Sequence, residues 1–312
     1  MKALFVWPGI TGYMGGCWRA LAARAGVELK VAVDLEDKYF SGRLDAGEAM
    51  AGVDWSDRLP ADWKPDIVFS VGWSSRLCRE AALRDWNGAK KICCFDMPWA
   101  WNIRKVAARW VLGPYLRRFQ AAFVNGKSAA RYAKWLRFDR VYEGLVGTDL
   151  ARFGAHEGGE GFLFLGREAP EKRLDVLRAA HAQYRARGGR WGLKIVSSVK
   201  PEEVAAFYRR ADAFVLASEE ESWGVVLVEA AAAGLPIICT DKCGARHEVV
   251  QGNGLVVKAA DVRALADAMA RMERLEAAER RAMGEKGRLL AAPYGCDAWA
   301  DRVELICKKE LE

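Results

Sequence analysis

The stretch DAFVLASEEESWGVVLVEAAAAGLPIICT, residues 212–240, contains two short apolar runs with an alanine-rich run between them. The short runs, 212–218 and 235–240, have the length of buried strands, and 223–233 has the length of a helix. A strand, a helix and a second strand in this order predict parallel strands joined by a crossover helix. Ligands of such sheets bind at the carboxyl ends of the strands.

The same alternation continues on both sides of this stretch. In the carboxyl-terminal half, further strands are predicted at 161–166, 192–198 and 253–258, and further helices at about 171–187, 201–210 and 261–290. In the amino-terminal half, strands are predicted in KALFVWPG, VELKVAVD, PDIVFSVG and AKKICCFD, and a helix in CWRALAARAG. Gly and polar residues accumulate between the halves, at 147–161. We therefore expect an α/β protein with two doubly wound domains.

Composition limits the class of protein. The 312 residues, 52% of them hydrophobic, can fill two domain cores. No apolar run approaches the roughly 20 residues of a membrane-spanning helix, and the start, MKALFVWPGITGYMGG, lacks a secretory-signal pattern. Eight cysteines without CxxC spacing and only three histidines predict reduced thiols in a cytoplasmic protein, without a metal centre. The net charge of +7 indicates a polyanionic partner.

Two cations lie where a predicted strand gives way to a helix. Arg167 and Lys172 follow the strand 161–166. Cations at a helix amino terminus oppose the helix dipole. Two interpretations remain open. Glu168 and Glu171 compensate the two positive charges on a solvated turn, or the two cations converge on a phosphate group that the helix dipole also attracts.

Glu229 is an acid inside an otherwise apolar helix. Ser222 is the predicted N-cap of this helix, so that the N–H groups of 223–226 could receive an anion. An unpaired carboxylate in the position of Glu229 would be costly, and we expect hydroxyl or amide partners for it. A plain surface position is the alternative, although VVLVEAAAAG offers no polar face.

Taken in order, Gly166-Arg167, Lys172, Glu221-x7-Glu229 and AxGLPII resemble the nucleotide-sugar site of retaining glycosyltransferases of the GT-B fold. More narrowly, they resemble glycosyltransferase family 4, the glycosyl transferases group 1. GARHEVVQGNGLVV and the linker GTDLARF resemble further segments of that family, and the likeness covers about 147–275. The resemblance implies two Rossmann-like domains facing across a cleft. These would be an acceptor domain at 1–147, onto which a last helix at 296–312 packs back, and a donor domain at 148–295.

The resemblance also implies roles for the charged residues. Arg167 and Lys172 would bind the diphosphate of a UDP- or GDP-sugar and stabilise the leaving group. Glu229 would accept hydrogen bonds from the ribose hydroxyls, and Glu221 would contact the transferred sugar. Such enzymes retain the anomeric configuration and need no metal, so no cofactor is expected.

Further donor contacts follow from the same resemblance. Besides the charged residues, they would come from Ser197, Ser198 and Val199 near the base, from Ser222, Trp223, Gly224 and Val225, and from Gly15 and Gly16 in the first loop. Many relatives carry a His after the strand that corresponds to KKICCFD, whereas this chain has Asp96. Asp96 either orients the acceptor or only caps the turn before Pro98.

Residues 99–140 hold ten Lys and Arg residues and a single acid, Asp139, interleaved with tryptophans. This composition predicts helices that lie on an anionic membrane. The contacting residues would be Trp101, Arg104, Lys105, Arg109 and Trp110. Nucleic-acid binding is a less favoured alternative, and a solvated basic face of a fold helix is another.

The sequence therefore predicts a cytoplasmic hexosyltransferase, peripheral on the inner face of the membrane. It would transfer sugar to a glycan or glycolipid hydroxyl, of the lipopolysaccharide or polysaccharide type. An NAD(P)-dependent oxidoreductase is an alternative, because GITGYMGG and then Asp34 follow the first two strands, although the glycine spacing is not G-x-G-x-x-G. A non-catalytic polyanion-binding protein is another.

Overall fold

The structure is a computed structural model that describes residues 1–10, 12–36, 46–154, 156–197 and 199–312. The chain divides into two units. Unit 1 contains Met1–Asp149 and Gly295–Glu312, and unit 2 contains Leu150–Tyr294. The acceptor and donor roles of the two domains stay predictions.

Unit 1 is a parallel sheet flanked by helices. Its strands are β1 Lys2–Trp7, β2 Glu28–Val33, β3 Trp55–Ser56, β4 Ile67–Val71, β5 Lys90–Phe95, β6 Ala121–Val124 and β7 Arg140–Glu143. Its helices are α1 Gly12–Ala22, α2 Ala46–Ala49, α3 Arg76–Leu83, α4 Ile103–Val111, α5 Gly113–Leu116, α6 Gly126–Trp135 and, at the end of the chain, α13 Cys296–Leu311. Within the described residues the strand order is β3-β2-β1-β4-β5-β6-β7, and every pairing is parallel.

Unit 2 repeats the same scheme with fewer strands. Its strands are β8 Phe162–Leu165, β9 Leu193–Val196, β10 Ala213–Leu216, β11 Ile237–Thr240 and β12 Gly254–Val257. Its helices are α7 Leu174–Ala186, α8 Val204–Arg210, α9 Val225–Ala232, α10 Arg246–Val249, α11 Val262–Arg274 and α12 Ala277–Ala291. In the described part of the chain the parallel strand order is β12-β11-β10-β8-β9. The neighbouring strands β8 and β10 therefore end side by side.

Helix α13 is fastened to the sheet of unit 1 by its buried face. The indole N–H of Trp299, which is fully buried, donates to the carbonyl of Leu145 at 2.7 Å. Near the end of the helix, the buried carboxylate of Glu310 accepts a hydrogen bond from the hydroxyl of Tyr142 at 2.7 Å and pairs with Arg140 at 3.1 Å. These contacts join the last helix to the edge strand β7.

The glycine-rich segment after β1 is helical, so the prediction that Gly15 and Gly16 lie in a loop is wrong. Both residues are inside α1. A Cβ on Gly15 would lie 2.0 Å from the carbonyl oxygen of Ala49, and one on Gly16 would lie 2.9 Å from the sulfur of Cys296. Close packing within unit 1 thus explains two glycines in a helix, where each costs about 1 kcal/mol relative to alanine.

The long helical pattern at 261–290 forms two helices instead of one. Helix α11 ends at Arg274, and Glu276 is the N-cap of α12. Glu276 and Glu279 form a reciprocal capping box, which satisfies N–H groups that a new helix start leaves without partners. The capping box lowers the cost of the break at the start of α12.

The eight cysteines, all in the described ranges, form no disulfide. No helix in the described part of the chain is both long and apolar enough to cross a membrane.

We expect Glu310→Ala to lower the free energy of unfolding by about 2–3 kcal/mol. The change removes a buried carboxylate and leaves Arg140 and Tyr142 without their partner. Urea unfolding followed by tryptophan fluorescence measures the effect. Glu312→Ala, at an exposed position two residues later, is the matched control. Equal midpoints for the two variants would contradict the anchoring role.

Candidate active site

The loops that follow β8 and β10 are joined to each other. The N–H of Glu219, after β10, donates to the carbonyl of Glu171, after β8, at 2.8 Å. The side chain of Arg173 adds ion pairs with Glu219 and, at 2.9 Å, with Asp175. The acidic loop and the basic loop therefore form one surface at the carboxyl end of the sheet.

Lys172 and Glu221 form an ion pair across this junction. Only 12% of the Lys172 side chain and 15% of the Glu221 side chain are exposed. A lysine ammonium has three donors, so Lys172 can hold Glu221 in place and still donate to an anion. Two residues predicted to serve the donor's phosphate and sugar thus lie in direct contact.

Lys172 precedes the helix instead of starting it. A single turn of 3₁₀ helix spans Pro170–Lys172, and Arg173 then adopts a left-handed conformation with φ of 49° before α7 begins. Proline favours this first turn because its φ is already set. The left-handed Arg173 turns the chain between the basic loop and the helix.

Arg167 is the more exposed of the two predicted phosphate ligands. More than half of its side chain, 57%, is accessible, and its only ion pair among the described residues is with Glu171 at 3.4 Å. An exposed pair of this kind contributes little to stability. Arg167 can therefore change partner at low cost.

The loop that carries Glu221 is held by a second segment, residues 243–245. The N–H of Gly244 donates to the carbonyl of Glu221 at 2.9 Å, and that of Ala245 donates to Trp223 at 2.8 Å. A Cβ on Gly244 would lie 1.9 Å from the carbonyl oxygen of Ser222. Only glycine therefore allows these two segments to approach so closely.

The prediction that Ser222 caps α9 is wrong. The N-cap is Gly224, in a left-handed conformation with φ of 90°, and no side chain caps the helix. The loop turns two residues later than predicted because Trp223 enters the core, where its ring lies 5.4 Å from that of Tyr294. The first N–H groups of the helix, including Val225, are left without intrahelical acceptors, as in any α-helix.

Glu229 has a protein partner that the sequence did not identify. The hydroxyl of Tyr208, in α8, lies 3.1 Å from Oε2 of Glu229 and 3.3 Å from the carbonyl oxygen of Val226. Tyr208 is fully buried. Burial, followed by the negative charge of Glu229, raises the pKa of Tyr208 well above its ordinary value. Tyr208 therefore remains a proton donor to Glu229. In the sequence, Tyr208 stands in the segment FYRR, which contains no feature that indicates a contact with Glu229.

The residues predicted to contact the base follow β9. The hydroxyl of Ser197 donates to Glu168 at 3.3 Å, which links this loop to the loop after β8. Val199 packs against the core of unit 2. Ser198 lies outside the described residues.

Asp34 and Asp96 both follow strands of unit 1. Asp34 accepts a hydrogen bond from the hydroxyl of Ser75 at 2.6 Å and lies 3.4 Å from the N–H of Leu77, so it stabilises the start of α3. Asp34 therefore has a structural contact in unit 1 that the sequence did not indicate. Asp96 is exposed after β5, and its catalytic role stays a prediction.

The basic, tryptophan-rich segment is not a run of interfacial helices. It contains the fully buried strand β6 and helix α6, which packs by its alanines. Trp101 and Trp110 are 77% and 63% exposed, and Arg104 is also exposed. The other two predicted membrane contacts are half-buried and have partners in unit 1, and their membrane role stays a prediction. Lys105 donates to the carbonyl of Pro98 at 2.6 Å, and Arg109 stacks 5.1 Å from the ring of Trp135.

Within the described residues, no group of three His, Cys, Asp or Glu side chains could hold a metal ion.

Comparisons with known proteins bear on the family and the fold. Residues 183–290 match the family model described as Glycosyl transferases group 1. A D-inositol 3-phosphate glycosyltransferase from Frankia alni is 31% identical over 186 residues, and the match covers 48% of this chain and 45% of that protein. This chain spans less than half the length of the curated relatives that it matches.

Solved structures extend the likeness to the whole fold. Sucrose-phosphate synthase from Thermosynechococcus elongatus is 17% identical, with a TM-score of 0.73 over 99% of both chains. HepE from Anabaena, in complex with UDP and glucose, is 13% identical, with a TM-score of 0.73 over 99% of this chain and 100% of that one. The predicted fold is confirmed, whereas membership of family 4 and retention of configuration stay predictions. The chain therefore has the GT-B fold, and its residues 183–290 resemble the Glycosyl transferases group 1 family.

Proposed function

We propose that the protein is a retaining glycosyltransferase that moves a hexose from a nucleoside diphosphate sugar to a hydroxyl group of an acceptor. The observation that carries this proposal is the family match at 183–290, because it includes both Glu221 and Glu229. The UDP and glucose in the HepE structure support a nucleotide-sugar donor. No resident cofactor or metal is proposed.

The donor's diphosphate would bind at the joined loops after β8 and β10. Lys172 and Arg167 supply positive charge there, and the amino terminus of α9 supplies N–H groups. Such fixed charges stabilise the negative charge that develops on the leaving diphosphate. Because Lys172 is mostly buried, its charge acts in a region of reduced water content and is less screened.

The ribose and the transferred sugar would be held by the two glutamates. A carboxylate accepts at about four lone-pair sites, and Tyr208 uses one of those on Glu229. The neighbouring hydroxyls of a ribose suit a carboxylate acceptor. Glu221, oriented by Lys172, would accept from hydroxyls of the sugar. The acceptor hydroxyl would attack the sugar from the same face from which the diphosphate leaves. An oxygen of the leaving diphosphate would take the proton of that hydroxyl.

The acceptor is proposed to be a glycan or a glycolipid of the lipopolysaccharide or polysaccharide type. The names of two similar proteins, an inositol phosphate glycosyltransferase and a sucrose-phosphate synthase, favour a phosphorylated polyol or sugar as a second candidate. A panel of nucleotide sugars, followed by a panel of acceptors of both classes, tests the proposal. Donor stabilisation without hydrolysis or transfer would instead indicate a binding protein.

We expect Lys172→Ala to lower kcat/KM for donor hydrolysis or transfer by about a hundredfold or more, as removal of a fixed transition-state charge does. The matched control is Lys194→Ala, which breaks a Lys–Glu pair with Glu160 at 3.0 Å elsewhere in unit 2. The control should keep wild-type kinetics. Unchanged kinetics for Lys172→Ala, in a folded protein, would exclude the proposed diphosphate site.

We expect Tyr208→Phe to weaken the binding of ribonucleotides through Glu229. Loss of one hydrogen bond to a charged acceptor corresponds to roughly tenfold in affinity, about 1.5 kcal/mol. Calorimetry with UDP and with 2′-deoxy-UDP separates two effects. If Glu229 loses its orientation, the ratio of the affinity for UDP to that for 2′-deoxy-UDP falls. If the protein loses structure generally, the affinity for both ligands falls by the same factor.

The control for this experiment is Tyr184→Phe. Tyr184 is also buried in unit 2 and donates to a glutamate, Glu273, at 2.7 Å. This variant should keep the wild-type preference for UDP. A Tyr208→Phe protein that also keeps it would show that Tyr208 does not position Glu229.

A further inference from the structure

Helix α4 and the residue pair before it present an apolar face to solvent. Ile103 is 84% exposed and Val111 is 76% exposed, beside the exposed rings of Trp101 and Trp110. Four of the ten large hydrophobic residues that are exposed in the described part of the chain thus fall within eleven positions. Residues 103, 110 and 111 share one side of the helix by their spacing. Such a concentration marks an interaction surface. We call these four residues the apolar face.

The apolar face is anchored to unit 1 by the aromatic packing of its tryptophans. The ring of Trp135, in α6, lies 5.1 Å from that of Trp99 and 6.3 Å from that of Trp110. The guanidinium of Arg109 lies over the Trp135 ring at 5.1 Å. Trp110 is therefore fixed on unit 1 although 63% of it is exposed, and this contact holds the apolar face in place.

A basic cavity of about 440 Å³ lies beside this face, between α4, α5 and residues 136–139. Arg109, Arg117 and Arg137 line it, together with one acid, Asp139. None of the three arginines pairs with a carboxylate in the ranges that the structure describes. The Nε of Arg109 is buried and has no hydrogen-bond partner among those residues. We call this cavity the arginine pocket.

We propose that the apolar face and the arginine pocket together dock the protein on an anionic phospholipid bilayer. The apolar face enters the interfacial region, where tryptophan rings concentrate. The arginine pocket receives the phosphate of one lipid headgroup, because a guanidinium donates two parallel hydrogen bonds to a phosphate. Its volume is within the range of small-molecule sites, about 300–1,000 Å³.

The aliphatic residues decide between a bilayer and a nucleic acid. Both partners offer phosphates to the arginines, and both can accept exposed aromatic rings. Ile103 and Val111, however, have no ring on which a base could stack, whereas a hydrocarbon boundary accepts them favourably. This docking surface does not depend on the proposed sugar transfer.

Sedimentation with vesicles tests the apolar face. The full-length protein should bind vesicles that contain phosphatidylglycerol and should bind pure phosphatidylcholine vesicles weakly. Ile103→Glu and Val111→Glu should each lower binding by about tenfold or more, because a charge must then enter the interface. The control is Leu289→Glu, on a residue that is also 76% exposed but lies in unit 2. If Val111→Glu and Leu289→Glu bind equally, the proposal is wrong.

A second set of variants tests the arginine pocket. Arg117→Gln with Arg137→Gln should lower binding about 25-fold, since each basic residue near an anionic surface contributes about 1 kcal/mol, a factor of about five. The double variant Arg117→Lys with Arg137→Lys keeps the positive charges but loses the paired donors of the guanidinium groups. Its affinity for the vesicles should lie between those of the wild type and the Gln pair. Wild-type binding by the Lys pair would overturn the headgroup site.

Two soluble ligands separate the sources of phosphate. Inorganic phosphate should bind far more weakly than the vesicles do, because it offers nothing to the apolar face. If inorganic phosphate and the vesicles bind with equal affinity, the pocket is a site for free phosphate and the docking proposal is refuted. Single-stranded RNA is the second ligand. The proposal would also be refuted if the wild-type protein binds this RNA and the Gln pair does not, while the Gln pair still binds vesicles.

Discussion

The arrangement of the candidate site depends on a charge that is largely removed from water. Lys172 and Glu221 lie on different loops, and each exposes less than a sixth of its side chain. Separately, either charge would carry a large desolvation cost, and together they offset it. This requirement keeps the loop after β8 against the loop after β10. The hydrogen bond between Glu219 and Glu171 and the ion pairs of Arg173 strengthen the same junction.

Close backbone packing holds the loop that contributes Glu221 to this charged junction. Gly244 allows residues 243–245 to lie directly against the loop that carries Glu221. Trp223 fills the core beneath that loop, and Gly224 makes the turn into α9. In unit 1, Gly15 and Gly16 have a similar packing role inside α1. Gly244, Gly15 and Gly16 thus bring protein segments together, and the ligand contacts assigned to Gly15 and Gly16 stay predictions.

The two chemically distinctive regions of the chain use arginine differently. At the candidate active site, Arg167 and Arg173 pair with carboxylates on adjacent turns. In the arginine pocket of unit 1, three arginines line one cavity together with Asp139, and the guanidinium of Arg109 lies over the ring of Trp135. Like charges gathered in this way repel one another unless an anion lies among them. The proposed lipid phosphate would offset this repulsion.

The sequence by itself determined the repeating strand–helix order, the parallel sheets and the ends of strands where charged residues gather. It did so because apolar periodicity and strand length are local properties of the chain. Only the tertiary structure decided which charges meet. The pairing of Lys172 with Glu221 depends on β8 and β10 being neighbours, although β9 lies between them in sequence.

The same reason explains the predictions that were wrong and the residue that was missed. Ser222 has the composition of an N-cap, but the burial of Trp223 moves the helix start to Gly224. Tyr208 resembles any core aromatic until α8 packs beside α9 and brings its hydroxyl to Glu229. Lys105 and Arg109 have the composition of membrane contacts, and the sequence did not indicate the local partners of their charged ends, Pro98 and Trp135. Local sequence sets which elements form, whereas side-chain partners are set by distant segments that compete for the same space.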